Sequence, residues 1–413
     1  MITASDAQTM ALVDEHIDID RLLTTVQEIC RIPSVLGDEE AFSEYLVDMM
    51  RASGFDGAAL QPVLPDRPNA TGHIDFGTGG RTVVLTGHLD TKPPSHGWTV
   101  TEPFSGALID GSIYGQGIMD MKAALVCQVI AMEALRSSGM PLHGRLAFAG
   151  VVDHMGDQRG AIEYFTTHPA DLAVLGECSG SQVYLGHRGR YYFDITVRGR
   201  SAHTCHKPLA INANLLAAHA IIELDASKLQ PELEDWVLEL FGPETYMAPG
   251  RVYGGLPPGG PSMIPDECVI RVDCRPQPGI TVEQVRAEID RCLAGAKKRD
   301  SRFEADVVLA DVKDGYLVGR DDEVTTTMVR SLAAVRGHDS PVSVGNWLGD
   351  TSSVGHRVPT IIFGPGAEPV YAANEHLTVD EIVEATRAYA MFAALSMSAD
   401  GLSADSIGSQ TCS

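Results

Sequence analysis

Thr82-Val83-Val84-Leu85-Thr86-Gly87-His88-Leu89-Asp90 opens the stretch on which the reading of the fold turns, and Tyr114-Gly115-Gln116-Gly117-Ile118-Met119-Asp120-Met121-Lys122 closes it. Thr82 to Thr86 has the β-branched content and the length of a buried strand. His88 and Asp90 therefore fall just past a strand's carboxyl end, the side on which open α/β sheets place their ligands. A His two residues before an Asp suits a metal ligand and the carboxylate that orients it; a turn with a capping Asp would read the same way. Asp120 follows a Gly-x-Gly loop and precedes the apolar periodicity of Ala123, Leu125, Val126, Val129 and Ile130. That pattern predicts a helix with Asp120 at its start. The helix dipole and free N–H groups favour a carboxylate there, so capping alone would also account for it.

Three more apolar runs end the same way. Leu146 to Val152 leads into Asp153-His154-Met155, Leu172 to Leu175 into Gly176-Glu177-Cys178-Ser179, and Thr360 to Phe363 into Gly364-Pro365-Gly366. With helical patterns between them, the runs predict an α/β fold: one mostly parallel sheet with a single site along its edge. The segment from about Arg190 to Ala310 differs in character. Strand patterns at Tyr191 to Val197, near Val252, at Val269 to Cys274 and at Phe303 to Leu309 alternate with helices at Ile211 to Ser227 and Val282 to Ala296. That is a split βαβ, ferredoxin-like layout. The expected organisation is a catalytic domain of residues 1–189 and 311–397, an inserted α+β domain of 190–310, and a disordered Ser/Asp/Gly-rich tail of 398–413. Near the amino end, Met1 to Asp18 reads as a frayed helix. Two firmer helices follow, one carrying Leu22, Leu23, Val26 and Ile29 and ended by Pro33, the other carrying Phe42, Tyr45, Leu46 and Met49 and ended by Gly54.

At 413 residues the chain is long enough for two domains. A net charge of −24 argues against nucleic-acid and anionic-membrane partners. No apolar run reaches about eighteen residues and no basic-then-apolar leader follows Met1, so neither membrane insertion nor secretion is expected. The eight Cys are scattered singly, as reduced thiols of a cytoplasmic protein would be.

Taken together, Gly87-His88-x-Asp90, Trp98, Pro103-Phe104 and Tyr114-Gly115-x-Gly117-x-x-Asp120-Met121-Lys122 resemble the zinc peptidases that include acetylornithine deacetylase, succinyl-diaminopimelate desuccinylase, aminoacylase and glutamate carboxypeptidase. The resemblance runs from Ile19 to about Ala394. It implies a zinc-peptidase catalytic domain whose inserted lid also makes a homodimer contact. It further implies His88, Asp120 and Glu177 as ligands of one metal, with an open position for water or substrate. His187 in Gly186-His187-Arg188-Gly189 and His203 in Ser201-Ala202-His203 also match, the second reaching into the partner subunit's site. Arg275 matches a position that meets a substrate carboxylate. Gly364 and Asn374-Glu375 match near the carboxyl end, and the resemblance implies Gly364 and His187, with Arg275, as substrate-binding positions.

The departures fall on the second metal and on the base. Where the family has Asp-Glu-Glu, this chain has Asp153-His154-Met155, and where it has a last ligand His, this chain has Tyr371. Thioether sulfur is a poor zinc ligand. Both private ligands of one metal are thus replaced while the other set is complete, which implies a single divalent metal, zinc by resemblance. His154 is then the chemically available base, Asp90 the residue orienting His88, and Tyr371 a donor to an oxyanion. His96, His206 and His356 read as structural or exposed. The leading expectation is a hydrolase of an amide bond in a small, carboxylate-bearing substrate. The alternatives are a bond-forming or rearranging enzyme on the same scaffold, and a silent binding homologue.

Overall fold

The computed structural model describes residues 3–230, 232–255, 262–367 and 369–398. The chain forms two compact units: one from the amino end to Gly186 with Val318–Ser343 and the chain from Gly349 onward, the other His187–Leu317 with Val344–Leu348. The second unit is thus a little wider than the insertion expected at 190–310, and it takes in a short strap. Arg188 explains the strap: its N–H donates to the Gly345 carbonyl at 3.1 Å and its Nε to Asn346 Oδ1 at 3.0 Å. Apart from Ser398, the tail expected to be disordered lies outside the described residues.

In the first unit, strands Gly144–Val151, Arg81–His88, Leu172–Leu175 and Thr360–Ile362 lie side by side in that order, all parallel. These are the four apolar runs of the sequence. Sheets covered on both faces need apolar side chains at successive positions rather than alternate ones; Val83, Val84 and Leu85 are all fully buried. Leu85 aligns with Phe148 on one side and Val174 on the other, and Val174 with Ile361. That register brings all four carboxyl ends out along one edge. Antiparallel strands flank this centre: Arg67–Asp75 and then Asp56–Leu64 beyond Gly144–Val151, and Val183–His187 beyond Thr360–Ile362. Helices Ala123–Ser138 and Val379–Met397 pack against each other and are apolar around most of their circumference, as buried helices are. Among the described residues no helix is long and apolar enough to cross a membrane.

The amino-terminal helix is not frayed. Ala4–His16 starts on a reciprocal capping box between Thr3 and Asp6. Buried Asp6 also takes a bidentate ion pair from Arg330, a partner over three hundred residues away that no local pattern could announce.

In the second unit, strands Tyr246–Gly254, Glu267–Arg275, Arg190–Arg198 and Glu304–Lys313 form one antiparallel sheet in that order. Tyr191, Phe193, Ile195 and Val197 are buried while the residues between them are partly exposed, so one face packs and the other meets water. Helices Ala213–Asp225 and Val282–Arg299 cover the packed face through Leu216, Ala220, Val285 and Ile289. The strand order and the βαββαβ sequence are ferredoxin-like.

Candidate metal centre

His88 ends its strand fully buried, with its N–H on Met121 Sδ at 3.3 Å. Gly87 permits this approach: a Cβ there would stand 1.9 Å from Met121 Cε. The His88 Nδ1 lies 2.8 Å from the Asp90 carbonyl oxygen. A carbonyl can only accept, so Nδ1 carries a proton and Nε2 is the nitrogen turned to the site. This corrects the role expected for Asp90. Its backbone oxygen, not its carboxylate, orients His88. The carboxylate instead accepts from the N–H groups of His154 (3.0 Å) and Met155 (2.9 Å), one on each oxygen.

Asp120 lies in extended backbone (φ −131°, ψ 87°), and the regular helix begins three residues later than expected, at Ala123. Capping therefore does not account for it. Its Oδ1 is 3.0 Å from His88 Nε2. The loop before it is pinned from elsewhere in the chain: Glu375 accepts from Gly117 N–H at 3.1 Å and Met119 N–H at 2.9 Å. The next two side chains of the motif turn away from the site. Met121 packs under His88, and buried Lys122 donates to the Ile32 carbonyl beneath the Phe42 ring.

Glu177 completes the cluster two residues beyond its strand. Its Oε1 is 3.6 Å from His88 Nε2 and 3.7 Å from His154 Nε2, is buried, and has no hydrogen-bond partner. Burial and the neighbouring Asp120 charge push the Glu177 carboxyl up to about 6. Burial also opposes the charge on Asp120 and on His88. For Asp120 the hydrogen bond and charge of His88 outweigh it and hold the carboxyl low; for His88, Glu177 and Asp120 outweigh it and raise the imidazole well above its usual range. Two carboxylates and an imidazole thus crowd a buried site and need positive charge.

A divalent cation fits this donor set. Around a tetrahedral metal with bonds of about 2.0–2.1 Å, ligand atoms stand about 3.3 Å apart, and the two separations about His88 Nε2 bracket that value. The orphaned Glu177 oxygen supplies the missing contact. His88, His154 and Glu177 each bring a ligand atom within 4.8 Å of the others, and Asp120, Glu177 and the Cys178 thiol form a second such grouping. A third, Asp56, His73 and Asp75, is surface-exposed, and Arg145 already pairs with Asp75 there.

His154 belongs to the same cluster. Its ring stacks on His88 at 4.2 Å and 13°, and its Nδ1 is 2.9 Å from Asp350 Oδ1. Burial and the His88 charge lower its pKa, but Asp350 and Glu177 prevail and raise it. Asp350 was not anticipated from sequence, because nothing local says which loop the short turn after Gly345 will face. Met155 gives the site only its N–H. Tyr371, at φ +59°, donates its hydroxyl to the Asp120 carbonyl at 3.1 Å, so that proton is committed to backbone rather than free for an oxyanion. Gly364 packs beside the cluster. It is buried against the Glu177 turn, where a Cβ would lie 2.3 Å from the Gly176 oxygen, and its N–H donates to Ser179 Oγ at 3.1 Å.

His187, His203 and Arg275 lie in the second unit. His187 is buried with Nδ1 on the Arg188 carbonyl at 2.9 Å. His203 is exposed, its Nδ1 accepting from Cys205 N–H at 3.2 Å. Arg275 makes a bidentate pair with Asp273, two residues back on the same strand face, at 2.8 and 2.9 Å. Asp273 thus takes one edge of the guanidinium, the Nε and Nη2 donors.

Residues 84–395 match the model of peptidase family M20/M25/M40. A succinyl-diaminopimelate desuccinylase of Methylobacterium radiotolerans is 26% identical over 396 residues, covering 91% of this chain and 96% of the relative. Among solved structures, an M20 family metallo-carboxypeptidase from Sulfolobus solfataricus superposes with a TM-score of 0.75 at 17% identity, over 91% of this chain and 99% of that one. Human carnosine dipeptidase 1 gives 0.72 at 17% identity, over 95% and 99%.

Proposed function

The chain belongs to peptidase family M20/M25/M40 and is a hydrolase, and from that premise we propose that it cleaves an amide C–N bond in a small amino-acid-like substrate, with a single zinc ion held by His88, Asp120 and Glu177. The observation that carries this reading is the buried, unpartnered Glu177 Oε1 facing two imidazole nitrogens. Bound there, the metal would act as a Lewis acid on the amide carbonyl. The rest falls to the protein. His154 Nε2 takes a proton from water as the water oxygen bonds to the carbonyl carbon. The same proton then passes to the leaving nitrogen as the C–N bond breaks, and the acid's remaining proton follows it to the amine, giving a carboxylate and an ammonium. Between those transfers the imidazolium sits between Asp350 and Glu177 carboxylates, which favour its charge. Met155 and Tyr371 in place of hard ligands support one metal rather than two. The likeness to a desuccinylase supports an N-acyl amino acid as the substrate class.

The test is metal analysis together with a panel of N-acetyl and N-succinyl amino acids and dipeptides. One zinc per chain is expected, with slow hydrolysis that falls ~100- to 10,000-fold in His154→Gln. The triple variant His154→Glu, Met155→Glu, Tyr371→His should take up a second metal. Two tightly held metals in the unaltered protein would sink the single-metal assignment. A folded, zinc-loaded protein inert across the panel would sink the N-acyl amino acid assignment.

A further inference from the structure

An imidazole in the base position faces a problem that a carboxylate does not. Either oxygen of a carboxylate can take a proton, whereas a neutral imidazole has one bare nitrogen, and the wrong tautomer presents an N–H instead. The surroundings of His154 address this point. Asp350 Oδ1 lies 2.9 Å from its Nδ1, with the Asp350 side chain 4% exposed. Asp350 is in turn held by a clasp. Gln158, on the loop that carries His154, donates Nε2–H to the Gly349 carbonyl at 3.0 Å and accepts from Ser352 Oγ at 2.8 Å and from Ser353 Oγ. One amide side chain thus fastens the Gly349–Ser353 turn to the His154 loop. The backbone of that loop is anchored independently by the Asp90 carboxylate.

We propose that Asp350 is a positioning residue: by accepting Nδ1–H from His154 it fixes the ring's tautomer and directs the Nε2 lone pair toward Glu177 and His88. An ionised carboxylate only accepts, so the proton at that contact must come from the ring. Once Nδ1 carries it, the neutral ring's lone pair is on Nε2, the nitrogen 3.7 Å from Glu177 Oε1. The same logic orients histidines that bind metals or move protons in other proteins. Here it allows His to stand where a carboxylate base would otherwise be required. The inference builds on the reading of His154 as proton carrier, but its test does not require turnover.

The experiment is nitrogen NMR of the full-length protein labelled with 15N-histidine, zinc-loaded and also metal-free at alkaline pH, with the His154 signals identified by their absence in His154→Gln. The expected spectrum shows Nδ1 protonated and Nε2 bare. In Asp350→Asn, whose amide can donate to Nδ1, the ring should shift to the Nε2–H tautomer or to a mixture; Asp350→Glu should restore the original pattern. An Nε2–H tautomer in the unaltered protein would overturn the proposal, and so would an unchanged tautomer in folded Asp350→Asn. If Asp350→Asn does not fold, the unaltered protein's own spectrum still decides. A protein with the expected tautomer whose turnover is unchanged in His154→Gln would defeat the reading of His154 as proton carrier and leave the role of Asp350 standing.

Discussion

Glu375 is 2% exposed and accepts two backbone N–H bonds from the loop that ends in Asp120. Burial pushes its carboxyl up to about 7 from an ordinary 4.5; the two N–H donors work against that shift and the Asp120 charge adds to it. Between those values the folded state holds a proton that the unfolded state has released. Stability of the metal-free protein should therefore fall as pH rises from about 4.5 to about 7, by up to about 3 kcal/mol. His88 contributes in the same direction and Asp120 in the opposite one, but both act equally in a Glu375→Gln variant. The difference in urea midpoint between the two proteins, followed across that pH range, isolates Glu375. Parallel curves would show that its carboxyl is not perturbed as described.

The site depends on how closely two strand ends approach. Gly364 follows Thr360–Ile362 and Glu177 follows Leu172–Leu175, and the two turns touch through backbone. In Gly364→Ala the new methyl would meet two carbonyl oxygens, those of Gly176 and Glu177, at 2.3 and 2.6 Å. Backbone cannot rotate aside as a flexible side chain can, so the Glu177 turn must move. A loss of about 1–3 kcal/mol in stability is expected, together with weaker zinc binding by calorimetry. Wild-type zinc affinity in a stable Gly364→Ala protein would show that the Glu177 turn tolerates the shift.

For the whole molecule, the proposed state is a cytoplasmic homodimer joined through the second unit, with His203 of the partner subunit completing each site. Leu215 and Ile222 support an apolar contact there, lying seven residues apart on helix Ala213–Asp225 at 61% and 51% exposure, with Leu209 nearby in sequence at 64%. Sedimentation should give a dimer. Once a substrate is found, mixing His203→Ala subunits with Asp120→Asn subunits should recover part of the activity, because one of the two sites in each mixed dimer is intact. A monomer in sedimentation, or no recovery on mixing, would remove His203 from the reaction.

Local sequence determined the four central strands, because a strand covered on both faces must be apolar at successive positions, and it determined the alternating strands of the inserted unit for the complementary reason. The resemblance to a metallopeptidase family pointed to His88, Asp120 and Glu177, whereas the residues alone left a capping turn open for Asp90 and for Asp120. The half-exposed strand Asp56–Leu64 was not legible, because its burial pattern does not alternate cleanly. Nor were the partners that decide what each group does. That the Asp90 carboxylate holds the His154 loop and its carbonyl holds His88, that Tyr371 spends its hydroxyl on the Asp120 backbone, and that Asp350 meets His154 across 196 positions are results of packing. Hydrogen-bond pairing between distant loops depends on where strand ends emerge in space, and only the tertiary structure sets that.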